Sequence, residues 1–500
     1  SPCTTKEEIP DVVEGYRYTT ILLPEELTSY CHTPRIESGG LRTVNENIPY
    51  FSVPKHDDGE IYLGHVISPE NGEPTNLKYT LKSNELMHGL IAGASGAGKT
   101  QTALRFINGI VNEMKLPALI LDWKSDWRVL KYLVEPERFE YFGLDNFSAV
   151  PIKMNLFLPP KNVPPTTWKE KILESLSVSF GLGPKQYGIL FEATQRIFWA
   201  KDVIIYQDRN ENILPKKYDD DGILDLPSQG VPELHPEWEE NIYNVSLTDL
   251  YFQLKAEKEY INSFGMQDTY ESILTRLGYY ASGELKKLYA SKDRDAYRIS
   301  DLMESGIDEN KVMVLEGGNL DPLNKKFVIH LFAQGIFLYA KALYGKTRKA
   351  NKMLVVFEEA HQVIPNKNKG GNQAIDFGED VFEALCNESR GYGLYNLIMV
   401  QSPSELPKNV VANCSIVIGH RVNDEEDAVL LTKTFNRDER FDSRDVVRWL
   451  YREPIGQAVV ISKAQFDHID AEPALVAIDH IPIEAPTDEE LLDHYEEYYK

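Results

Sequence analysis

Residues 84–101 read Asn-Glu-Leu-Met-His-Gly-Leu-Ile-Ala-Gly-Ala-Ser-Gly-Ala-Gly-Lys-Thr-Gln, and the rest of the chain is interpreted outward from them. The central part, Gly93 to Thr100, fits the pattern G-x-x-x-x-G-K-[ST] of a loop that binds nucleotide phosphates (a P-loop). The preceding residues, 86–92, are apolar enough for a short buried strand, and apolar residues between 101 and 114 recur at helical spacing. Strand, glycine-rich turn and helix form the context that this motif requires. A glycine-rich turn that only opens a helix is the alternative interpretation.

The loop predicts a site for a nucleoside triphosphate and Mg²⁺. Its small residues allow successive backbone N–H groups to curl around phosphate oxygens, and the helix N-terminus adds the positive end of its dipole. We expect Lys99 to reach the β- and γ-phosphates and the Thr100 hydroxyl to ligate Mg²⁺. The predicted nucleotide-binding residues are Gly93, Ala94, Ser95, Gly96, Ala97, Gly98, Lys99, Thr100 and Gln101.

A second informative stretch, residues 352–361, reads Lys-Met-Leu-Val-Val-Phe-Glu-Glu-Ala-His. An apolar strand that ends in two acids is typical of the second motif of nucleotide hydrolysis. Because phosphoryl transfer needs mainly positioning and charge neutralisation, one acid on the metal side and one on the water side suffice. We predict that Glu358 faces Mg²⁺, directly or through water, and that Glu359 is the general base. The alternative is an exposed acidic pair at the end of a strand.

Three further side chains are candidates for catalysis. Gln401 ends another apolar run, residues 395–401, and is expected to bond the γ-phosphate or the attacking water; the alternative is an amide that caps the next turn. An arginine from a neighbouring subunit would neutralise charge on the γ-phosphate. Arg390 is the first choice for this arginine finger and Arg421 the second, and either is alternatively a surface or salt-bridged residue.

The order of the segments predicts an α/β fold with a mainly parallel central sheet. Strands are expected at 61–67, 76–81, 86–92, 118–123, 311–316, 352–358, 395–401, 415–421 and finally 456–463, with helices between them. Residues 1–60 are interpreted as the end of an upstream β-rich domain with a linker, and residues 61–480 as the ATPase domain. Within that domain a helical insert occupies about 160–300, and residues 481–500 form an acidic tail.

The bulk composition narrows the class of protein. Five hundred residues with 42% hydrophobic and 26% charged side chains are typical of a globular protein, and no apolar run approaches the ~20 residues of a membrane span. Four scattered cysteines favour a reducing, cytoplasmic environment and argue against a zinc site. The net charge of −24 repels nucleic acid on average, so any DNA contact needs local basic elements. The chain begins without Met or a signal pattern, and we expect a domain upstream.

Taken together, the motifs resemble the HerA–FtsK superfamily of ring-forming P-loop ATPases, specifically the HerA-like proteins. The matching stretches are 61–64, 86–88, 93–100, 121–124, 154–157, 355–361, 389–393, 397–404, 406–407 and 421–423. The resemblance implies a RecA-like core, a homohexameric ring, ATP-driven movement on double-stranded DNA, and an effector partner that is often a nuclease. The chain departs from the family pattern where Glu358 replaces the usual Asp.

Basic residues in two loops are candidates for DNA contact. Lys124 and Arg128 follow the strand that ends near residue 123, and Lys367 and Lys369 lie in a Gly-rich loop after the acid pair. Contacts of this kind would be independent of sequence and sensitive to salt. Solvated turns or surface loops are the alternative interpretation of all four.

Three functions therefore compete at the level of sequence. The first is a HerA-type translocase or helicase in DNA end processing or anti-phage defence. The second is an ATPase for conjugation or secretion. The third is a scaffold in which ATP regulates assembly with an effector enzyme.

Overall fold

The computed structural model describes residues 49, 51–54, 56–260, 264–360, 381–435, 443–462 and 473–499. Most of the predicted N-terminal segment 1–60 lies outside these residues, as do His361, Lys367 and Lys369. The predictions made for that segment and for the two lysines therefore remain predictions.

An eleven-stranded sheet dominates the described part of the chain, in the order β2-β1-β13-β12-β11-β3-β10-β9-β4-β8-β5. A separate hairpin pairs β6 with β7. The strands are β1 Ile61–Ile67, β2 Pro74–Leu81, β3 Gly89–Ala92, β4 Ala118–Asp122, β5 Phe139–Gly143, β6 Ile204–Gln207, β7 Val231–Leu234, β8 Val312–Glu316, β9 Met353–Phe357, β10 Leu394–Val400, β11 Ile416–Gly419, β12 Gln457–Ser462 and β13 Ala474–Ile478.

The sheet is parallel from β11 to β5 and antiparallel from β11 to β2. Every residue of β3, β4, β5, β8, β9 and β11 is buried, as expected for parallel strands covered on both faces. The predicted α/β class with a mainly parallel sheet is confirmed. All the parallel strands end at one edge, where ligands gather in such folds.

Helices cover the sheet and form the insert between β5 and β8. They are α1 Lys99–Asn108, α2 Pro165–Phe180, α3 Pro184–Ala200, α4 Trp238–Asn241, α5 Leu247–Glu259, α6 Phe264–Ala281, α7 Lys286–Tyr289, α8 Ile299–Glu309, α9 Pro322–Thr347, α10 Val381–Glu388, α11 Lys408–Asn413, α12 Glu425–Phe435, α13 Ser443–Arg452 and α14 Asp488–Tyr498. α1 continues into one π-helical turn, Gly109–Glu113.

The helix α9 is long and apolar enough to cross a membrane by composition, although charged residues interrupt its apolar sequence. However, 72% of its most apolar window is buried inside the protein. Its side chains pack against α2 and α8 and against the short helical segment after α10. This is the behaviour of a core helix.

The structure adds elements that the sequence patterns did not predict. The edge strand β5 and the strand β13 were both missed, so residues 456–463 are not the last strand. Within the insert, residues 201–245 contribute the β6–β7 hairpin, with Ile204 fully buried. The acidic C-terminal segment contains a helix, α14, whose buried His494 bonds the Phe139 carbonyl oxygen of β5 at 3.0 Å.

Candidate functional site

The P-loop connects β3 to α1 at the carboxyl edge of the sheet. Gly93 has φ +154°, and a Cβ atom placed there would lie 2.6 Å from the Cβ of His420. Gly98 has φ +115° and directly precedes the first helical residue, Lys99. Glycine is needed at both positions, because L-residues rarely adopt these angles and Gly93 has no room for a side chain. The predicted strand, turn and helix are therefore present, with the strand shorter than expected.

His420 supports this loop from below. Its Nε2 lies 2.8 Å from the Thr102 hydroxyl and its Nδ1 2.8 Å from the Gln457 carbonyl oxygen. Since the carbonyl can only accept, the ring proton is on Nδ1 and Nε2 accepts from Thr102. Burial lowers the pKa of His420 to about 4, which keeps the ring neutral. Through these two hydrogen bonds His420, which follows β11, connects α1 to β12 next to the P-loop.

The loop presents hydrogen-bond donors that have no acceptor within the described part of the protein. These are the backbone N–H groups of Gly96, Gly98, Lys99 and Thr100. Four such donors at the start of a ten-residue helix form a site for phosphate oxygens. The residues present therefore fit a nucleoside triphosphate.

Lys99 is buried, and its ammonium donates to the carbonyl oxygens of Gly93 at 2.6 Å and Ala94 at 2.9 Å. Burial, assisted by the positive charge of Lys124, lowers the pKa of Lys99 to about 8. Bound phosphates would supply the missing negative charge. The loop carbonyls meanwhile keep the amine inside the curl of the loop.

The predicted acid pair lies beside the loop, two strands away from β3. Leu121 of β4 is in register with Phe357 of β9, so the following residues, Asp122 and Glu358, are neighbours at the strand ends. Glu358 is 3% exposed and accepts the Trp123 N–H at 3.2 Å. Burial, followed by the charge of Asp122, raises the pKa of Glu358. The Lys124 ammonium, 4.0 Å from Glu358 Oε1, opposes this shift only in part, and a divalent cation would add further positive charge beside the carboxyl group.

The side chains of Glu359 and Gln401 are in direct contact. The Gln401 side-chain amide donates to Glu359 Oε1 at 2.8 Å, and the same oxygen accepts from the Lys124 ammonium. β10 lies between β3 and β9, so Gln401 lies between the P-loop and the acid pair. Glu359 has φ +49°, a left-handed conformation that is costly for a non-glycine residue and is often found at functional sites.

Asp122 and Asp126 are functional candidates that the sequence interpretation missed. Asp122 accepts the backbone N–H groups of Lys124, Ser125 and Trp127 at 2.8 to 3.0 Å, and so shapes the loop after β4. Asp126 Oδ2 accepts the Thr100 hydroxyl at 3.4 Å. The available signal was the position of this polar loop after a buried strand, at the carboxyl edge of the predicted parallel sheet where ligands gather.

Most of these groups line one cavity of about 400 Å³. It is lined by Ser95, Gly96, Gly98, Lys99, Thr100, Gln101, Lys124, Asp126, Glu358, Glu359, Met399 and Ile455. Within the described residues, no group of three or more His, Cys, Asp or Glu side chains is arranged around a metal. Mg²⁺ in nucleotide sites is held by one or two protein groups together with phosphate oxygens, and the predicted groups, Thr100 and Glu358, both line this cavity.

A larger cavity of about 1000 Å³ lies between the insert and the C-terminal end of α9 and contains no P-loop residue. Its cations are already paired: Lys161 contacts Asp301 and Glu304, and Arg298 donates to the Tyr243 hydroxyl at 2.8 Å. The smaller cavity is therefore the candidate site.

The remaining predicted residues lie apart from the acid pair or are engaged elsewhere. Arg390 contacts Met87 Sδ at 3.7 Å, before the amino end of β3, so it lies at the edge of the sheet opposite its own P-loop. Arg421 follows β11 at the P-loop edge, where its carbonyl oxygen accepts the Ala94 N–H at 2.7 Å. That Arg390, or otherwise Arg421, reaches the γ-phosphate in a neighbouring subunit remains a prediction.

The two described DNA-contact candidates both have partners within the protein. Lys124 lines the nucleotide cavity and pairs with Glu359. Arg128 donates to both oxygens of Glu316, at 2.5 and 2.6 Å, and to Asp488 at 2.7 Å. Their proposed contact with DNA remains untested.

Comparison with known proteins places this geometry in context. Residues 61–197 match the family model described as helicase HerA, central domain. Among solved structures, VirB4 of Thermoanaerobacter pseudethanolicus is similar with a TM-score of 0.55 at 12% identity, covering 86% of this chain and 99% of VirB4. No curated protein matches the sequence significantly.

Two structures of the plasmid coupling protein TrwB are also similar, one with ADP and Mg²⁺ and one with a non-hydrolysable ATP analogue. Their TM-scores are 0.51 and 0.50 at 9% identity, and each match covers 82% of this chain and 89% of TrwB. At these identities the likeness concerns the fold. Together with the family match, it confirms the predicted resemblance and the RecA-like core.

Proposed function

We propose that the chain, which resembles the HerA-like P-loop ATPases over residues 61–197 and shares its fold with VirB4 over 86% of its length, hydrolyses ATP to drive double-stranded DNA through a ring of its own copies. The proposal includes an effector partner, such as a nuclease, in DNA processing or anti-phage defence.

The observation that carries the ATPase part is the convergence of Lys99 and Glu359 on one cavity, with the side-chain amide of Gln401 bonded to Glu359. The free N–H groups of the loop and Lys99 bind the phosphates, and Glu359 with Gln401 positions the attacking water. The water oxygen forms a bond to the γ-phosphorus, and the bond from that phosphorus to the β–γ bridging oxygen breaks. Glu359 accepts the water proton, and ADP and phosphate are released.

Mg²⁺, when bound, neutralises charge on the β- and γ-phosphates. Thr100 and Glu358 are the residues that would hold it, with Asp126 close to the Thr100 hydroxyl. Glu358 is one methylene longer than the usual Asp, so contact through a water molecule is compatible with its position.

The decisive test combines Glu359→Gln with duplex DNA. Wild type should hydrolyse ATP, and duplex DNA should raise the rate. Glu359→Gln should keep ATP affinity within about threefold while kcat falls about 10²- to 10⁴-fold, because only the general base is lost. Equilibrium binding and phosphate release measure the two effects separately. A wild-type rate that duplex DNA leaves unchanged contradicts the translocase proposal, and a Glu359→Gln variant that still turns over contradicts the assigned base.

A conjugation or secretion motor is the second candidate, because VirB4 and the coupling protein TrwB share the fold. Co-purification with membrane channel components, rather than with a soluble nuclease, would favour it. The scaffold alternative predicts that Glu359→Gln still assembles with and activates its effector, whereas a motor with this substitution should stall.

A further inference from the structure

Lys124 occupies an unusual place in the candidate site, since it lines the phosphate cavity and also holds the proposed general base. Its ammonium donates to Glu359 Oε1 and lies 4.0 Å from Glu358 Oε1. The side chain is 39% exposed, so it has room to move within the cavity. The same Glu359 oxygen accepts from Gln401, so this carboxylate is drawn toward protein donors.

The backbone that carries Lys124 is firmly held, in contrast to the side chain. Asp122 accepts the N–H groups of Lys124 and Ser125, and Ser125 has φ +62° in the resulting turn. Asp122 itself is fully buried. A fixed backbone with a flexible four-carbon stem lets the ammonium exchange partners without moving the loop.

The ammonium groups of Lys99 and Lys124 are held by different parts of the protein, which suggests that they contact the bound triphosphate at different places. Lys99 is held by P-loop carbonyl oxygens within the curl of the loop. Lys124 instead sits beside Glu359, on the side where the attacking water must approach the terminal phosphate. The phosphoryl group nearest to Glu359 in any productive complex is the γ-phosphate.

We propose that Lys124 is a second phosphate-binding lysine, which pairs with Glu359 before ATP binds and transfers to the γ-phosphate when ATP binds, so that Glu359 becomes available to the attacking water. ADP lacks the γ-phosphate and therefore leaves the Lys124–Glu359 pair intact. This inference rests on the proposed ATPase function and assigns Lys124 to ATP rather than to DNA.

The test compares affinities for ADP and for a non-hydrolysable ATP analogue in the full chain with Mg²⁺. Lys124→Met should weaken binding of the analogue about tenfold or more, since a charge-assisted hydrogen bond to phosphate is lost, and should change ADP affinity less than about twofold. Lys124→Arg keeps the positive charge, so it should recover much of the preference for the ATP analogue over ADP. Lys115→Met, at an exposed lysine paired with Glu135, is the matched control and should change neither affinity.

Exchange of partners is tested by combining substitutions. Glu359→Gln removes the competing carboxylate, so it should tighten analogue binding, by up to about threefold, when Lys124 is present and should have no such effect when Lys124 is replaced by Met. Equal affinity changes for ADP and the analogue, or none for either, would overturn the proposed γ-phosphate contact. A wild-type protein that binds neither nucleotide would instead refute the ATPase function on which this inference rests.

Discussion

At the scale of single residues, Glu453 shows how strongly burial beside the P-loop shifts the pKa of an ionisable group. The side chain is fully buried after the end of α13, and burial raises its pKa well above 4.5, although the charge of Arg421 opposes the shift. Because the folded state then binds a proton that the unfolded state has released, the stability contributed by this group is complete below pH 4.5 and declines as pH rises.

Glu453→Gln should therefore remove this pH dependence. At pH 8 we expect the variant to unfold with a free energy about 1 kcal/mol or more above that of wild type, while the two should be similar near pH 4.5. Urea denaturation across this pH range measures the difference. Glu484→Gln, at an exposed position, should leave the profile unchanged, and a constant offset between Glu453→Gln and wild type would contradict the interpretation.

At the scale of elements, the path from β3 into α1 depends on Gly93. An alanine there would bring its Cβ to 2.6 Å from the Cβ of His420, which hydrogen bonds hold in place, so the loop must shift. Gly93→Ala should lower ATP affinity about tenfold or more while the far-UV circular dichroism remains native. Equilibrium binding measures the affinity.

The control for this substitution is Gly345→Ala in α9, where the added methyl group would meet nothing within 4 Å. It should retain wild-type binding, and helix propensity predicts a small gain in stability. Normal ATP affinity in Gly93→Ala would show that the loop tolerates displacement and that its observed conformation is not required.

At the scale of the whole molecule, the position of Arg390 makes the proposed ring testable. The residue lies at the edge of the sheet opposite its own P-loop, so it can reach phosphates only in a neighbouring copy. Arg390→Ala and Glu359→Gln should each be nearly inactive alone, with kcat reduced about 10³-fold or more for the arginine. Mixed together, they should regain activity, because a Glu359→Gln subunit supplies Arg390 to an intact Glu359 site next to it.

Phosphate release from mixtures of the two variants over a range of ratios measures this recovery, and native mass measurement gives the number of subunits. A mixture as inactive as either parent would argue against Arg390 as the finger. The same experiment with Arg421→Ala in place of Arg390→Ala then tests the second candidate.

The sequence predicted the core of the site because its motifs are local. The P-loop needs glycines at fixed spacing. An acid pair after an apolar strand can likewise be recognised from consecutive residues, without knowledge of the fold. Gln401 was predicted in the same way, as the polar residue that ends a strand. The edge strand β5 and the late strand β13 were missed, because short apolar segments resemble many others until they pair with a neighbour.

By itself, the sequence determined the α/β class and the P-loop, and it predicted Lys99, Thr100, Glu358, Glu359 and Gln401 as the chemical groups of the candidate site. Only the tertiary structure decided which residues contact them. In it, Lys124 contacts Glu359 and Asp126 contacts Thr100, whereas Arg390 lies at the edge of the sheet opposite the P-loop. The physical reason is that spacing along a chain encodes local conformation, whereas contacts between ends of neighbouring strands depend on strand order, which no single segment contains.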